Sequence, residues 1–170
     1  KQYNKKLYGV VSNMSIAVER RDFLKHFDCF ICNQLEAGML FMEDYADKSP
    51  EELRDILSKR VILGKIPAMI VTMGGNGAVY ADVNGEKGIC PPQRVRVKDT
   101  TGAGDCFMGG FLYAYSNGLS MEECGKFGSA VSAFGISAVG PSTAVPDYET
   151  VLQFIKDSEE GTDNGIMGYL

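Results

Sequence analysis

Residues 99–105 read Asp-Thr-Thr-Gly-Ala-Gly-Asp, and the residues from 103 to 116 (AGDCFMGGFLYAYS) have the apolar spacing of a helix. The glycine-rich turn is therefore predicted to open that helix. A helix N-terminus presents unpaired backbone N–H groups and the positive end of the helix dipole, and small residues let an anion approach them closely. Asp105 is expected in the first turn, pointing to the same place. The stretch thus predicts an anion site with a carboxylate beside it, the pair of groups that phosphoryl transfer requires.

Two other phosphate-binding motifs are excluded by the residues present. A Walker A loop needs Ser or Thr after its Gly-Lys pair, but Gly64-Lys65 is followed by Ile66. A dinucleotide fingerprint needs a third glycine three residues after Gly104, where Phe107 stands. From the residues alone, an ordinary glycine-rich helix entry with a first-turn aspartate remains the alternative.

Strand-like and helix-like runs alternate along the rest of the chain. The predicted strands are 7–12, 27–33, 68–73 and 78–81, with 87–98 extended. The predicted helices are 15–25, 35–42, 50–64, 103–116, 120–138 and one from Pro146 to just before Gly161. This alternation predicts an α/β fold with a mainly parallel sheet, helices on both faces and a local antiparallel hairpin. Ligand sites in such sheets gather at the carboxyl ends of strands, which is consistent with one cleft for Asn33, Thr72 and the 102–105 turn.

Short local motifs indicate where several of these elements begin or turn. Ser49 before Pro50 is expected to cap the third helix, and Ser120 is expected to form a capping box with Glu123. Asn84-Gly85 has the composition of a hairpin turn, because both residues tolerate positive φ.

Composition limits the class of protein. The chain has 170 residues, of which 45% are hydrophobic and 23% charged, which suits one domain with a real core. Its formal net charge of −5 argues against nucleic acid as a partner, since binding to phosphate backbones draws on clustered Lys and Arg. No apolar run approaches the length of a membrane span, and no signal or transit pattern is visible. We therefore expect a cytoplasmic protein without a membrane partner.

The five cysteines include one pair with redox or metal-knuckle spacing, Cys29 and Cys32. The chain has no second pair of this spacing, and its single histidine is His26. Because residues 27–32 are mostly apolar, a buried strand explains the pair better, with each cysteine acting as a small hydrophobe.

Four stretches together resemble the ribokinase or PfkB family of carbohydrate kinases. DTTGAGDCFMGGF, beginning at Asp99, is similar to the family's Asp-Thr-x-Gly-Ala-Gly-Asp-x-Phe signature. Asn33-Gln34-Leu35-Glu36 resembles its Asn-x-x-Glu motif, and Thr72–Gly77 resembles its Thr-x-Gly-x-x-Gly nucleotide turn. Residues 129–146 resemble the small-residue helix, glycine turn and Val-Pro exit that follow in the family. The resemblance implies a ribokinase-like three-layer α/β/α fold.

The family's members are close to twice this length, so the resemblance implies that the chain is the C-terminal portion of the domain. Residues 1–157 would be the nucleotide-binding part, and residues 158–170 a tail without clear periodicity. The first half of the family domain, with its sugar motif, lies outside this stretch of sequence. We expect the piece alone to be inactive, with a sheet edge exposed where the first half pairs.

The resemblance also implies roles for individual residues. Asp105 would be the catalytic base that takes a proton from the acceptor hydroxyl as it attacks the γ-phosphate of ATP. The backbone N–H groups of Gly102, Ala103 and Gly104 would stabilise the transferred phosphoryl group. The nucleotide would be lined by Thr72, Gly74 and Gly77, with Ser129 beside the adenine.

Two metal sites are implied in the same way. Asn33 and Glu36 would hold Mg²⁺, largely through ordered water; a strand-end cap followed by a first-turn glutamate explains these two residues equally well. Asp99 and Thr101 match the position of a monovalent cation, K⁺ in many relatives, with carbonyls near Gly135, Ala138, Gly140 and Ala144 as further ligands. Ala138 and Ala144 stand where some relatives have Arg and Ser, so the chain departs from the family pattern at this site.

The expected function is ATP-dependent phosphorylation of a hydroxymethyl group of a sugar or sugar-like substrate. A nucleoside kinase of the same family is an alternative, because the residues that read the acceptor lie mostly outside this chain. A non-catalytic nucleotide-binding segment is a second alternative, of a different class. The sequence does not indicate an oligomeric state.

Overall fold

The structure is a computed structural model that describes residues 3, 5–10, 14–140, 145–161 and 166. The chain forms two compact units, residues 1–89 and 90–170. The strands are β1 (Tyr8–Val10), β2 (Cys29–Asn33), β3 (Ala68–Thr72), β4 (Ala78–Asp82) and β5 (Lys87–Cys90). The helices are α1 (Met14–Glu19), α2 (Gln34–Phe41), α3 (Pro50–Gly64), α4 (Ala103–Ser116), α5 (Met121–Ile136) and α6 (Tyr148–Glu160). Among the described residues, no helix combines the length and apolar character that a membrane crossing requires.

The five strands form one sheet in the order β1-β2-β3-β4-β5. β1, β2 and β3 are parallel, and β4 returns antiparallel to β3 through a tight turn. The expected mainly parallel sheet with a local hairpin is therefore confirmed. The register pairs Asn33 with Thr72, so two of the predicted site residues lie side by side where β2 and β3 end.

The core of the first unit explains why its strands read as continuous apolar runs. All residues from Cys29 to Cys32, from Ala68 to Val71 and from Ala78 to Ala81 are buried, as in strands covered on both faces. One face packs against α3 through Leu53, Leu57 and Val61, which have the spacing of a helix face. Since Cys29 and Cys32 lie inside this sheet, their interpretation as strand residues is confirmed.

Local capping signals set the helix boundaries in both units. Ser49 and Glu52 form a capping box at the start of α3, and Ser120 and Glu123 form one at the start of α5, both as predicted. Gly85, with φ of +95°, lies in the predicted turn between β4 and β5.

The predicted helix at 15–25 is wrong as a single element. α1 ends at Glu19, and a 3₁₀ helix follows from Arg21 to His26. Arg20 leaves the helical region, with φ of −118° and ψ of 39°, and its guanidinium pairs with Asp22 and covers the ring of Phe23. These contacts lie at the break, and α1 itself packs against the core only through the partly buried Met14 and Ala17.

The last helix ends just before Gly161, as predicted, but it begins at Tyr148 and not at Pro146. α6 begins after Asp147, whose side chain accepts a hydrogen bond from the Thr150 N–H, and continues to Glu160. It ends where Gly161 adopts φ of +69°, a left-handed conformation that suits a glycine helix cap. Residues 158–160, assigned above to the tail, therefore belong to α6.

In the second unit, glycines bring α4 and α5 into close contact. A Cβ added to Gly128 would lie 2.7 Å from the Phe107 carbonyl oxygen, and one added to Gly110 would lie 2.8 Å from Val131. A Cβ at Gly135 would lie 2.7 Å from the Cys106 sulfur. Side chains at these positions would push the helices apart, so the glycines fix the distance of α5 from the first turns of α4.

Candidate functional site

The turn before α4 is held by hydrogen bonds among its own residues. Asp99 Oδ1 accepts a hydrogen bond from the Thr101 N–H at 2.9 Å, and the Ala103 N–H donates to the Thr100 carbonyl at 3.1 Å. Gly102 has φ of +78° and precedes α4 without a side-chain cap. A residue with a side chain is strained in that conformation, which explains the glycine at position 102.

Three backbone N–H groups at this turn have no acceptor among the described residues: those of Gly102, Gly104 and Asp105. They are the unpaired donors of a helix start, aimed along the positive end of the helix dipole. The structure differs from the expectation at Ala103, whose N–H already donates to Thr100. The donors that remain for an anion are therefore those of Gly102, Gly104 and Asp105.

Space in front of these donors is open. A Cβ built on Gly104 meets no atom within 4 Å, although Gly104 belongs to a helix, where alanine is the more stable residue. Packing within the chain therefore does not explain a glycine at this position. Close approach of an anion to the backbone does explain it.

The Asp105 carboxylate is exposed and has no hydrogen-bond or ion-pair partner among the described residues. It lies on the first turn of α4, next to the free N–H groups. The neighbouring Cys106 is a poor nucleophile, because burial, with a smaller effect from Asp105, raises the pKa of its thiol. Asp105 is thus the carboxylate of this turn whose oxygens have no hydrogen-bond donor among the described residues, whereas Asp99 accepts hydrogen bonds from the turn itself.

A groove of about 480 Å³ starts at Asp105 and lies between α4, α5 and the entry to α6. It is mostly apolar, and its aromatic wall is a cluster of Tyr113, Phe127 and Tyr148 with ring centroids 5.6–5.9 Å apart. Ser129 is not among the residues that line it. Only 8% of Ser129 is exposed, so this residue offers little surface to an adenine ring.

The candidate cation site is partly assembled in the second unit. Hydrogen bonds from Thr101, together with one from the backbone of Gly140, hold the pKa of Asp99 below its usual value. Thr101 and Gly140 therefore lie against the Asp99 carboxylate and donate hydrogen bonds to it, and a monovalent cation at this place stays a prediction. The Ile136 carbonyl accepts hydrogen bonds from Lys98 and Asp99, which attaches this turn to the end of α5. Ala144, a further expected ligand, lies outside the described residues.

In the first unit, Asn33 and Glu36 form a capping box at the start of α2. Asn33 Oδ1 accepts a hydrogen bond from the Glu36 N–H at 2.9 Å, and Glu36 Oε2 accepts one from the Asn33 N–H at 2.8 Å. Both residues therefore have the capping role that the sequence left open as an alternative. The Asn33–Glu36 motif thus caps α2, with or without a bound metal ion.

The same pair fits Mg²⁺ held mainly through water. Glu36 uses one carboxylate oxygen in the box, which leaves Oε1 without a partner among the described residues. These residues contain no cluster of three or more His, Cys, Asp or Glu side chains that could enclose a metal ion. Mg²⁺ commonly keeps several waters and takes only one or two protein carboxylates, so one free oxygen is a suitable donor.

The nucleotide turn predicted at 72–77 is a compact loop between β3 and β4. The Met73 N–H donates to the Gly77 carbonyl at 2.7 Å, and the Gly77 N–H donates to the Gly74 carbonyl at 3.1 Å. Gly74 has φ of +55°, and Gly77 has φ of +85° with ψ of −134°, a combination that essentially only glycine adopts. The glycines are therefore required by the turn itself. A Cβ on Gly74 or Gly75 would meet nothing within 4 Å, so the loop exposes bare backbone to a ligand.

Sequence reasoning missed one contact of the anion turn. The Ser132 hydroxyl on α5 donates a hydrogen bond to the Ala103 carbonyl at 3.0 Å, across 29 positions of sequence. Ser132 lies on the α5 face that also carries Gly128 and Gly135, at spacings of four and three residues. The sequence signal is a serine on a helix face of small residues, which indicates a hydrogen-bond acceptor on the helix packed against it.

The expected convergence of Asn33, Thr72 and the 102–105 turn on one cleft involves residues of both compact units and stays a prediction. Within each unit, the structure brings the predicted residues together. Asn33 and Thr72 are paired across β2 and β3, and the 99–105 residues form one continuous turn.

Comparison with known proteins identifies the family. Residues 3–148 match the model of the pfkB family carbohydrate kinases. A sugar kinase of uncharacterised specificity from Archaeoglobus fulgidus is 36% identical over 123 residues, which cover 72% of this chain and 45% of that protein. The guanosine-inosine kinase of Exiguobacterium acetylicum is 33% identical over 150 residues, which cover 86% of this chain and 48% of that protein.

A solved structure shows the same fold. Arabidopsis thaliana ribokinase, complexed with ribose and ATP, superposes with a TM-score of 0.79 at 23% sequence identity. The superposition covers 92% of this chain and 49% of that one, so the chain spans about half the length of the proteins it matches. The expected ribokinase-like α/β fold is confirmed. The chain belongs to the pfkB family of carbohydrate kinases.

Proposed function

We propose that the natural protein containing this chain catalyses ATP-dependent phosphorylation of a hydroxymethyl group on a sugar or sugar-like compound. The observation that carries the proposal is the first turn of α4, where the Asp105 carboxylate and the neighbouring backbone N–H groups have no hydrogen-bond partner among the described residues. Membership of a carbohydrate kinase family supports the reaction class.

Asp105 acts as the base of this reaction. A hydroxyl that attacks a phosphoryl group must lose its proton, and a carboxylate placed beside it accepts that proton as the new bond forms. An ionised aspartate is a weak base for an alcohol, so it works mainly by position. Because no described residue occupies the Asp105 carboxylate oxygens, they remain available to the acceptor hydroxyl.

The backbone donors act on the phosphoryl group. In transfer, negative charge is spread over the oxygens of the moving phosphoryl, and fixed N–H donors stabilise it without reorganising. The N–H groups of Gly102, Gly104 and Asp105 supply such donors. Since they are backbone groups, truncating side chains leaves them in place, and only a substitution that fills the space before them removes their effect.

The first unit is proposed to serve the nucleotide. Thr72, Gly74 and Gly77 would line the phosphates and ribose, and Asn33 and Glu36 would hold Mg²⁺ largely through water. When bound, Mg²⁺ neutralises charge on the phosphates of ATP. Asp99 and Thr101, with the backbone of Gly140, would hold a monovalent cation such as K⁺. The cysteines form no disulfide among the described residues, which is in keeping with the cytoplasmic location that we propose.

The acceptor is proposed as a sugar, with a nucleoside as the alternative within the same reaction class. The alternative is favoured by the guanosine-inosine kinase, which is 33% identical to this chain over 150 residues. A non-catalytic nucleotide-binding role is the remaining candidate. A non-catalytic role does not explain why a carboxylate without a partner among the described residues stands beside these N–H donors.

Turnover by the natural full-length protein tests the proposal. We would measure ADP release with ATP and Mg²⁺ against a panel of ribose, fructose, a keto-deoxy acid, sugar phosphates and nucleosides. The matched variants are Asp105→Asn and Glu149→Gln, each of which neutralises one exposed carboxylate in the first turn of a helix. Asp105→Asn is expected to lower kcat by about 10²- to 10⁴-fold, the usual contribution of a positioned base.

The outcomes separate the candidates. Turnover with a sugar supports the leading proposal, and turnover confined to nucleosides supports the alternative. Binding of ATP without turnover on any acceptor favours the non-catalytic role. Turnover that survives Asp105→Asn at the wild-type rate removes Asp105 from the base position.

A further inference from the structure

Ser132 lies outside the residues assigned to the site, yet it contacts the backbone of the anion turn. Its hydroxyl, half-buried between α4 and α5, donates to the Ala103 carbonyl at 3.0 Å. Ala103 is the first residue of α4, and its own N–H donates to Thr100. The residue that opens the helix is therefore held on both sides of its backbone.

The Ser132 contact affects one N–H donor of the anion turn, that of Gly104. The Ala103 carbonyl and the Gly104 N–H belong to the same peptide unit, which is planar and rigid. A hydrogen bond that fixes the carbonyl end consequently fixes the direction of the N–H at the other end. Gly104 N–H is one of the groups without an acceptor among the described residues.

The same contact also strengthens that donor. A peptide whose carbonyl accepts a hydrogen bond is polarised, so its N–H becomes a better donor, and chains of hydrogen bonds reinforce one another in this way. The Ser132 hydroxyl thus orients and polarises the Gly104 N–H through the Ala103 carbonyl of the same peptide. Glycines at 128 and 135 allow α5 to approach closely enough for this reach.

We propose that Ser132 is a positioning residue for phosphoryl transfer, acting through the Ala103–Gly104 peptide on the charge that develops at the transferred group. The inference rests on the function proposed above. The distribution of charge over the phosphoryl oxygens changes on the way to the transition state, and a rigidly oriented donor favours the arrangement to which it is matched. Loss of the Ser132 hydroxyl should therefore affect the chemical step more than nucleotide binding.

Kinetics of the natural full-length protein provide the first test. Ser132→Ala is expected to lower kcat by about threefold to tenfold, the range of one net hydrogen bond, with the KM for ATP changed less than about twofold. Ser132→Thr retains the hydroxyl and should restore most of the rate. Ser116→Ala is the matched control, since the Ser116 hydroxyl donates to a carbonyl at the opposite end of α4, that of Tyr113, at 2.8 Å. It should leave kcat unchanged.

An NMR measurement reports the peptide itself and does not depend on turnover. In this part of the natural protein the Ala-Gly peptides are 37–38 and 103–104. Labelling with ¹³C-carbonyl alanine and ¹⁵N-glycine selects peptides of this kind, and loss of a signal in Gly104→Ala assigns the second. The Gly104 resonance is expected to shift in Ser132→Ala but not in Ser116→Ala. The Gly38 resonance serves as the internal reference and should stay in place.

Three results would overturn the inference: an unchanged kcat in Ser132→Ala, an equal loss in Ser132→Ala and Ser116→Ala, or a Gly104 resonance that does not move. A rise in the KM for ATP with kcat unchanged would also overturn it, because that pattern indicates binding rather than the chemical step. Absence of turnover in the wild-type protein refutes the proposed function instead. In that case the Gly104 resonance still decides whether Ser132 orients the peptide.

Discussion

Gly104 offers a substitution that should make the protein more stable and less active at once. A Cβ at this position meets no atom of the described residues within 4 Å, and the residue is helical. Gly104→Ala therefore introduces no clash within the described residues. It reduces the freedom of the unfolded chain, and Ala exceeds Gly in helix propensity.

The two effects have different sizes. The free energy of unfolding should rise by about 0.4–1 kcal/mol, which corresponds to a rise in Tm of about 1–3 °C. Activity should fall, because the new methyl group occupies the space through which a phosphate reaches the N–H groups. Loss of one fixed donor of this kind costs about 10²- to 10³-fold in rate, so we expect that loss for the larger Gly104→Val and a smaller one for Gly104→Ala.

The assay compares thermal unfolding with kcat/KM for ATP in the natural full-length protein. Gly109→Ala is the stability control, since Gly109 lies on the same helix and a Cβ there also meets nothing within 4 Å. It should give a similar rise in Tm. The reasoning is refuted if Gly104→Val keeps the wild-type kcat/KM, or if Gly104→Ala lowers activity only by lowering Tm.

Three further predictions concern packing, pH and capping. Gly128→Ala should destabilise the protein by about 1–3 kcal/mol in chemical denaturation, because its Cβ would lie 2.7 Å from the Phe107 carbonyl oxygen; an unchanged midpoint would contradict the close packing of α4 and α5. The Asp99 pKa is lowered by hydrogen bonds from Thr101, so its stabilising contribution is present above its unfolded value of about 3.9 and is lost as pH falls through the lower folded value. Unfolding measured from about pH 6 down to pH 3 should therefore show a shrinking stability difference between wild type and Asp99→Asn, and a constant difference would refute the assignment. Asn33→Ala should cost about 1 kcal/mol through loss of the α2 cap, and Asn33→Ser should recover most of it; if both raise the Mg²⁺ concentration needed for half-maximal turnover, the amide also serves the metal.

Elements with strong local signals could be predicted from the sequence. α3 and α5 begin at Ser-x-x-Glu boxes, and the hydrogen bonds that define those boxes lie within four residues. The buried strands were recognisable because a strand covered on both faces must be apolar throughout. The break at Arg20 could not be predicted, since it depends on how little of α1 is buried, and burial is a property of the folded chain.

The candidate site divides in the same way. The sequence pattern predicted Asp105 in a first helical turn and glycine turns at 74–77 and 102–104. In the structure Gly74, Gly77 and Gly102 have positive φ. The pattern could not show that the Ala103 N–H is already paired, nor that Ser129 is buried, because both depend on neighbours brought close by folding.

The sequence by itself determined the family, the order of the strands and helices, and the place of the glycine turn that opens α4, because each is encoded in short runs whose geometry is local. Only the tertiary structure decided which donors of the turn are free and what orients them. The Ser132 hydroxyl reaches the Ala103 carbonyl across 29 positions of sequence, through a helix contact that exists only once glycines have let α5 pack against α4. Hydrogen bonds and burial over such separations are set by packing, and no local pattern specifies them.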